Sequence, residues 1–390
     1  MQSSSTPQGQ HSSPNRVIYC INPDCRQREN PDNLECCQAC GTPLLIENRY
    51  RLIFPLRPLS PRGQAEVFEV EDLGVEAANG ERNKVLKLLA KNDETLVRLF
   101  KQEAKILNEL DHTGIPKIQL GDSYFTLSLP RTSKRLHCLV MEKIEGENLH
   151  DWVEENGPVS QEQALNWLKQ LVDILHYLHQ HKYFHRDIKP SNIMRRPNGQ
   201  LVLIDFGTVR EMTQTYLVKI GSNREITGVY SAGYTPVEVI QGKAAPQSDF
   251  YALGRTFVYL LTGKPPFDLP EEAGKLNWRD SAPQVLRPLA DWIDYLMASS
   301  PDQRPQDTSF ILERLEGKTI KTLRSPPIEN LPSHPIEPPS PPTTRLLIIL
   351  NFVLFSIVLV SGLLWFQRQQ ENQWQVPRQE NSQIIPNPHI

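Results

Sequence analysis

The chain has 390 residues and a formal net charge of −3, with 22% charged and 39% hydrophobic residues. This length fits two or three structural units. Because acidic and basic residues nearly balance, the composition argues against a protein that coats nucleic acid, and we expect no nucleic-acid partner. The apolar content excludes a wholly disordered chain. Six cysteines are too few for a disulfide-dense secreted scaffold of this length.

The first segment, residues 1–16, is rich in Ser, Gln and Pro, and its one apolar residue is Met1. We expect it to be disordered because it cannot bury an apolar surface. It lacks the basic start and the apolar centre of a secretory signal. This favours a cytoplasmic location for the N-terminal part of the chain.

Residues 17–46 contain five of the six cysteines and predict a small, zinc-ribbon-like Cys₄ module. Cys20 and Cys25 form one short pair, and Cys37 and Cys40 form a second pair after eleven intervening residues. Each pair directs two thiolates at one ion, and four thiolates complete the tetrahedron that Zn²⁺ prefers. The segment is too short for a core of its own, so a structural Zn²⁺ would supply most of its folding free energy.

Two alternatives stay open for this cysteine cluster. Cys36 could replace Cys37 as a ligand, since the spacing alone does not forbid it. A disulfide or redox switch is the stronger rival to the metal, because the spare thiol could enter thiol exchange. A reducing cytoplasm favours the metal. Gly41 follows the second pair and suits a turn that needs positive φ.

The motif that carries chemistry is HRDIKPSN at residues 185–192, with a DFG sequence starting at Asp205, thirteen residues after Asn192. This order and spacing are those of the catalytic loop and metal-binding turn of a protein kinase. An Asn-Gly pair at 198–199 predicts a two-residue type I′ hairpin turn between short strands that connect the two motifs. The hairpin would bring Asn192 and Asp205 to the same space.

On these motifs, residues 50–316 resemble the Hanks-type, eukaryotic-like Ser/Thr protein kinase domain of bacteria. The Cys-rich start that runs into NRYRLI resembles cyanobacterial kinases with an N-terminal four-cysteine module. The resemblance implies an α+β two-lobed kinase fold, ATP and Mg²⁺ as cofactors, and phosphoryl transfer to Ser/Thr hydroxyls of protein substrates. The alternative is a pseudokinase, a membrane-tethered binding module without turnover.

The resemblance assigns roles to the two motifs. Asp187 would accept or orient the proton of the substrate hydroxyl, and Lys189 would contact the γ-phosphate. Lys at that position, rather than Arg, is typical of Ser/Thr kinases. Asn192 and Asp205 would hold Mg²⁺ between the β- and γ-phosphate oxygens.

Other matching positions would bind the nucleotide. Lys87 lies in the strand-like run KVLKLL and would grip the α- and β-phosphates. Glu103 lies in a segment whose apolar residues recur at helical spacing, and it would pair with Lys87. Met141 matches the gatekeeper, and the backbone groups of Glu142 and Ile144 would meet adenine.

The loop that covers ATP departs from the family pattern GxGxxGxV. When the chain is aligned on Val67, Ser60, Arg62 and Ala65 stand at the glycine positions, and Gly63 is displaced by one place. Glycine there lets backbone N–H groups approach phosphate closely. We therefore expect weak ATP binding, with the charge of Arg62 as one source of compensation.

The resemblance also predicts an activation segment that ends near Glu238. Counting back from Glu238 places Ser231 against the catalytic loop and Thr227 at the position of the activating phosphothreonine. Arg186 precedes the catalytic Asp187 and would bind that phosphate through its guanidinium. The alternative is that Thr227 is an ordinary loop hydroxyl. A homodimer would allow autophosphorylation.

Two further contacts expected in the C-terminal lobe are structural. Glu238 would form an ion pair with Arg304. Asp249 would bind the backbone of the catalytic loop.

The C-terminal region predicts a membrane anchor. Residues 317–344 contain eight prolines and form a linker. Residues 346–366 are an uncharged apolar run of 21 residues, which as a helix would reach roughly 31 Å and span a bilayer; a buried core helix is the alternative. More basic residues precede the span than follow it, so we expect a single-pass protein with a cytoplasmic kinase domain and a short outside tail at 367–390.

Overall fold

The computed structural model describes most of residues 16–316. The described ranges are 16–59, 65–75, 82–91, 93–119, 123–130, 134–211 and 231–316. The predicted linker, membrane anchor and tail, as well as Thr227 and loop residues 60–64, lie outside them and stay predictions. Within the described part of the chain, no helix has the length and apolar character needed to cross a bilayer.

The described chain alternates short strands with helices of up to 20 residues. The strands are β1 (Val17–Tyr19), β2 (Glu29–Pro31), β3 (Leu45–Ile46), β4 (Tyr50–Pro55), β5 (Glu66–Asp72), β6 (Asn83–Leu89), β7 (Tyr124–Ser128), β8 (Arg135–Glu142), β9 (Glu147–Asn148), β10 (Tyr183–Phe184), β11 (Ile193–Arg195), β12 (Leu201–Leu203), β13 (Arg210–Glu211), β14 (Glu271–Glu272) and β15 (Lys275–Leu276). The helices are α1 (Glu94–Glu109), α2 (Leu149–Asn156), α3 (Gln161–Gln180), α4 (Val237–Ile240), α5 (Gln247–Thr262), α6 (Arg287–Leu296) and α7 (Thr308–Glu316).

The N-terminal lobe is an antiparallel sheet with strand order β3-β4-β5-β6-β8-β7. Side chains alternate between its two faces: Leu89 packs with helix α1 in the main core, whereas Leu86 and Leu88 belong to a second cluster on the opposite face. Asp93 caps the N-terminus of helix α1, and its carboxylate accepts the Leu96 N–H. The helix predicted around Glu103 is thereby confirmed.

The C-terminal lobe is mostly helical and is built around α3 and α5. The spacing of apolar residues in α3 gives it one buried face, and α5 is buried on nearly every side. Strands β11 and β12 form a hairpin at the Asn-Gly pair, and β9 adds a third strand. The predicted two-residue type I′ turn is wrong, because Gly199 has positive φ but Asn198 does not, and the Gly199 N–H donates to the carbonyl of Arg196. The hairpin starts directly after Asn192 and ends two residues before Asp205, so it sets the separation of these two side chains.

The cysteine module packs on the outer face of the sheet, the face opposite α1. Strand β3 of the module pairs with β4. Ile21 and Ile46 are buried in the apolar cluster of that face together with Leu52, Phe68 and Val70. The module also has a small buried cluster of its own, formed by Ile18, Leu44 and three of the cysteines, contrary to the expectation that it lacks a core. It adds to this cluster by sharing the core of the sheet.

Arg28 makes a buried, bidentate polar contact between the module and the sheet. Its guanidinium forms two hydrogen bonds of 2.9 Å with the carboxylate of Glu66 on β5, and the two side chains are only 9% and 10% exposed. The guanidinium also lies 5.1 Å from the ring centroid of Phe68. Its Nε donates to the carbonyl of Cys20 at 2.9 Å. One side chain thus connects a cysteine of the cluster to β5.

We expect Arg28→Ala to lower the free energy of unfolding by about 2–4 kcal/mol, because it leaves the Glu66 carboxylate buried without its cation. Arg16→Ala is the matched control. Arg16 also pairs with a glutamate of β5, Glu71, but its side chain is 45% exposed, so its loss should cost below about 1 kcal/mol. Urea denaturation of both variants measures the difference. Equal losses in the two variants would contradict the special role of Arg28.

Candidate active site

Three charged side chains from different elements meet in the cleft between the lobes. Nζ of Lys87 on β6 lies 2.8 Å from both carboxylate oxygens of Glu103 on α1. The same Nζ lies 3.0 Å from Oδ1 of Asp205, after β12. The expected Lys87–Glu103 pair is therefore present. The ammonium of Lys87 also lies beside the carboxylate of Asp205, which is expected to bind metal.

The charged side chains of this cluster shift one another's pKa values. The Lys87 ammonium holds the pKa of Asp205 far below its usual range, and the Arg57 guanidinium adds to this effect. Burial alone would lower the pKa of Lys87, but the carboxylates of Asp205 and Glu103 raise it above its ordinary value. Lys87 and Asp205 are both charged at neutral pH as a result.

The catalytic-loop carboxylate is held from three sides. Oδ2 of Asp187 accepts hydrogen bonds from Nζ of Lys189 at 2.8 Å and from Nδ2 of Asn192 at 2.9 Å. Oδ1 accepts from the hydroxyl of Ser231 at 2.6 Å, and Lys189 also contacts that hydroxyl at 2.8 Å. The position predicted for Ser231 is confirmed. These bonds fix the direction in which the Asp187 carboxylate presents its oxygens.

A buried carboxylate holds the backbone of the catalytic loop. Asp249 accepts hydrogen bonds from the backbone N–H groups of His185 at 2.9 Å and Arg186 at 2.7 Å, and it also bonds to His179. Arg186 has φ of 72°, a left-handed conformation that a non-glycine residue adopts only at a cost. The two bonds from Asp249 offset that cost, and the expected role of this residue is confirmed.

The turn at Asp205 is shaped by close contacts. Asp205 has φ of 67° and precedes a single 3₁₀ turn. A Cβ at Gly207 would lie 3.3 Å from Glu103 and 3.4 Å from Nζ of Lys87, so a side chain there would press on the ion pair. The hydroxyl of Thr208 donates to the carbonyl of His185 at 2.9 Å, which connects this turn to the catalytic loop.

The segment expected to meet adenine follows strand β8. Met141 and Glu142 end that strand, and Ile144 is buried just beyond it. The Glu142 N–H donates to the carbonyl of Lys117 at 2.7 Å, and its carboxylate accepts from Arg196 of the β11–β12 hairpin at 2.6 Å. The connection between the lobes is therefore anchored to both of them at Glu142.

The comparisons agree with this geometry. The protein kinase domain family matches residues 74–314. The chain belongs to this family. Among curated relatives, it is 35% identical to serine/threonine-protein kinase F of Synechocystis sp. over 75% of this chain and 59% of that protein. It is 32% identical to serine/threonine-protein kinase B of the same organism over 78% of this chain and 53% of that protein. Serine/threonine-protein kinase PrkC of Bacillus subtilis is also 32% identical, over 62% of this chain and 36% of that protein.

The chain thus spans between about a third and three fifths of the length of these relatives.

Within the kinase domain, Val67 on β5 is the register partner of Lys87 on β6, so it lies beside the lysine that is expected to bind phosphate. The ion pair expected between Glu238 and Arg304 in the C-terminal lobe is also present. Nη1 of Arg304 lies 2.6 Å from the carboxylate of Glu238, and both side chains are buried. Ser60 lies outside the described residues.

Sequence reasoning missed Arg57. It singled out Arg62, within the loop, as a compensating cation, but Arg57 is the residue whose guanidinium reaches Asp205, at 3.7 Å. Arg57 lies outside the loop motif, and no local pattern marks it. The contact depends on how the end of β4 faces the C-terminal lobe.

The cysteine cluster forms a second candidate site. The Sγ atoms of Cys20, Cys25, Cys37 and Cys40 all lie within 4.8 Å of one another. The Cys20–Cys40 and Cys25–Cys37 sulfur pairs lie 3.5 and 3.6 Å apart. Tetrahedral Zn–S bonds of about 2.3 Å require sulfur separations of about 3.8 Å, whereas a disulfide requires about 2.05 Å. The donor set therefore fits a zinc ion.

Local backbone decides which cysteines converge. Cys36 is exposed and lies outside the cluster, which settles the alternative between it and Cys37. Gly41 has φ of 73°, as predicted, and its N–H donates to the carbonyl of Cys37. Burial raises the pKa of the Cys20 thiol far above its ordinary value and that of Cys25 to about 11, whereas hydrogen bonds with Thr42 outweigh burial at Cys40 and lower its pKa to about 6. Because metal binds the thiolate form, binding would release protons from Cys20 and Cys25, while Cys40 is already ionised at neutral pH.

Proposed function

We propose that this protein is a serine/threonine protein kinase that transfers the γ-phosphate of ATP to hydroxyl groups of other proteins. The observation that carries the proposal is the Asp187 carboxylate, held by Lys189, Asn192 and Ser231 in the cleft that contains the Lys87–Glu103–Asp205 cluster. Phosphoryl transfer needs positioning and neutralisation of charge more than covalent catalysis. The cleft has groups for both tasks.

Each side chain has a task that its contacts support. Asp187 accepts the proton of the substrate hydroxyl, and its fixed orientation aims that hydroxyl at the γ-phosphate. Lys189 and Lys87 contact phosphate oxygens. Asn192 donates through Nδ2 to Asp187, which leaves its amide oxygen as a ligand.

That oxygen and the Asp205 carboxylate are the ligands Mg²⁺ prefers, and the ion would neutralise phosphate charge when bound. The contacts support this proposal against the pseudokinase alternative. A domain without turnover would not need the hydrogen bonds that orient Asp187, yet all three are formed. The relatives named above are called serine/threonine-protein kinases.

Asp187→Asn should reduce phosphorylation of a generic Ser/Thr substrate by about 10²–10⁴-fold, because the amide cannot accept the hydroxyl proton. Incorporation of radiolabelled phosphate from ATP measures the effect. Asp280→Asn, a change of the same type at an exposed position, is the matched control and should retain activity. Equal, metal-independent background in wild type and Asp187→Asn would support the pseudokinase instead.

We also propose that the four-cysteine cluster holds one structural Zn²⁺. The sulfur separations support a tetrahedral site, and four protein ligands leave no position open for chemistry. Because Cys20 lies in the buried interface with the sheet through Arg28, the ion would stabilise the N-terminal lobe as well as the module. The rival is a redox disulfide.

Elemental analysis of the full chain should give one zinc per chain. Cys37→Ser should lose the metal and lower the unfolding temperature, whereas Cys36→Ser, a control of identical chemistry next to it, should retain both. The cause is that only the first substitution removes a converging sulfur. A metal-free protein whose mass is two units low for each cysteine pair would establish the disulfide.

Thr227 is the site we propose for activating phosphorylation. Nε of Arg186 is buried and has no hydrogen-bond partner among the described residues, and the guanidinium lies directly before Asp187. A phosphate offers it a bidentate anionic partner. Phosphopeptide mapping of active protein should find phosphate on Thr227, and Thr227→Ala should lose most activity. Full activity with an unmodified Thr227 would exclude this role.

A further inference from the structure

The end of strand β4 brings a cation into the phosphate region of the cleft. The strand pairs with β5 up to Pro55, and the Leu56 N–H still donates to the carbonyl of Val67 at 2.8 Å. Pairing stops there, and the next residue, Arg57, reaches across to the opposite lobe. Its Nη1 lies 3.7 Å from Oδ2 of Asp205. The guanidinium therefore lies beside the carboxylate assigned to the metal.

The two cations of this cluster differ in how fully they are engaged. Lys87 is hydrogen-bonded to both oxygens of Glu103 and to Asp205, and its side chain is only 13% exposed. Arg57 is 53% exposed, and its distance to Asp205 is too long for a hydrogen bond. An exposed ion pair of this kind contributes little to stability, so a ligand can redirect the guanidinium at little cost.

The loop that follows Arg57 lacks the usual means of binding phosphate. Ser60, Arg62 and Ala65 stand where the family has glycine, so close approach of backbone N–H groups to phosphate is restricted. A guanidinium presents several N–H donors in a planar fork that matches phosphate oxygens. Arg57 carries such a guanidinium and lies just before this loop in the sequence.

We propose that Arg57 binds the phosphate oxygens of the nucleotide and supplies part of the phosphate binding that the glycines provide elsewhere in the family. The proposal rests on ATP being the substrate, as proposed above. Because Asp205 would hold the metal between the β- and γ-phosphates, a guanidinium within 4 Å of its carboxylate is within reach of the same phosphate oxygens. Arg57 is in this view a determinant of ATP affinity.

The test compares ATP with adenosine, which has no phosphate. Isothermal titration calorimetry on the full chain measures the Kd of Mg-ATP and of adenosine for wild type, Arg57→Ala, Arg57→Lys and Arg51→Ala. Arg57→Ala should raise the Kd of ATP about five- to twentyfold, the range for losing a charge-assisted hydrogen bond at a partly exposed site. The Kd of adenosine should change less than about twofold, because the adenine contacts lie elsewhere.

Two variants serve as comparisons. Arg57→Lys retains the charge without the planar fork and should fall between wild type and Arg57→Ala. Arg51→Ala removes an arginine at the other end of the same strand and should change neither Kd.

Three results for Arg57→Ala would overturn the proposal. They are an unchanged Kd for ATP in Arg57→Ala, an equal weakening of ATP and adenosine, which would indicate a structural role, and tighter ATP binding, which would mean that the Arg57–Asp205 pair obstructs the site. A wild-type chain that binds adenosine and ATP with equal affinity would also remove it. A wild-type chain that binds neither would contradict the proposed kinase function itself.

Discussion

The ammonium of Lys87 connects three elements of the fold, strand β6, helix α1 and the turn at Asp205. It bonds to Glu103 on helix α1 and to Asp205 after strand β12, while its own strand lies in the middle of the N-terminal sheet. Charges this deeply buried are tolerated only when they are paired. The pairing therefore constrains where α1 and the Asp205 turn can lie relative to the sheet, and with them the shape of the cleft.

In the C-terminal lobe, buried charged side chains are likewise paired, but with different partners. Asp249 is buried and accepts backbone N–H groups of the catalytic loop, which keeps Arg186 in its left-handed conformation. Arg304 is buried against Glu238, so the segment that carries Ser231 is tied to the lobe close to the catalytic loop. The proposed chemistry of Asp187 thus depends on two buried carboxylates, Asp249 and Glu238, that hold the segments around it.

The cysteine module adds a second layer to the N-terminal sheet. One face of the sheet packs on α1 and borders the cleft. The other face of the sheet is covered by apolar residues of the module. Arg28 bonds to Glu66, the residue next to Val67 on β5. Strand β5, which we propose borders the nucleotide on one side, is therefore held on its other side by Arg28, the residue that also contacts Cys20.

Much of the site could be predicted from sequence because its residues occur in short motifs of fixed spacing. The catalytic loop, the Asp205 turn, the helical position of Glu103 and the knuckles of the cysteine pairs each depend on local geometry, which a few neighbouring residues determine. Even the long-range pairs Lys87–Glu103 and Glu238–Arg304 follow from the family resemblance once those motifs are recognised.

Contacts without a motif were decided only by the tertiary structure. The choice of Cys37 over Cys36 depends on which way one turn faces, since both have acceptable spacing. Three other features join residues that are far apart in the chain. They are the packing of the module on the outer face of the sheet, the Arg28–Glu66 pair and the contact of Arg57 with Asp205. Composition and periodicity show that a residue is charged or apolar, but which distant surface it meets depends on how the whole chain packs.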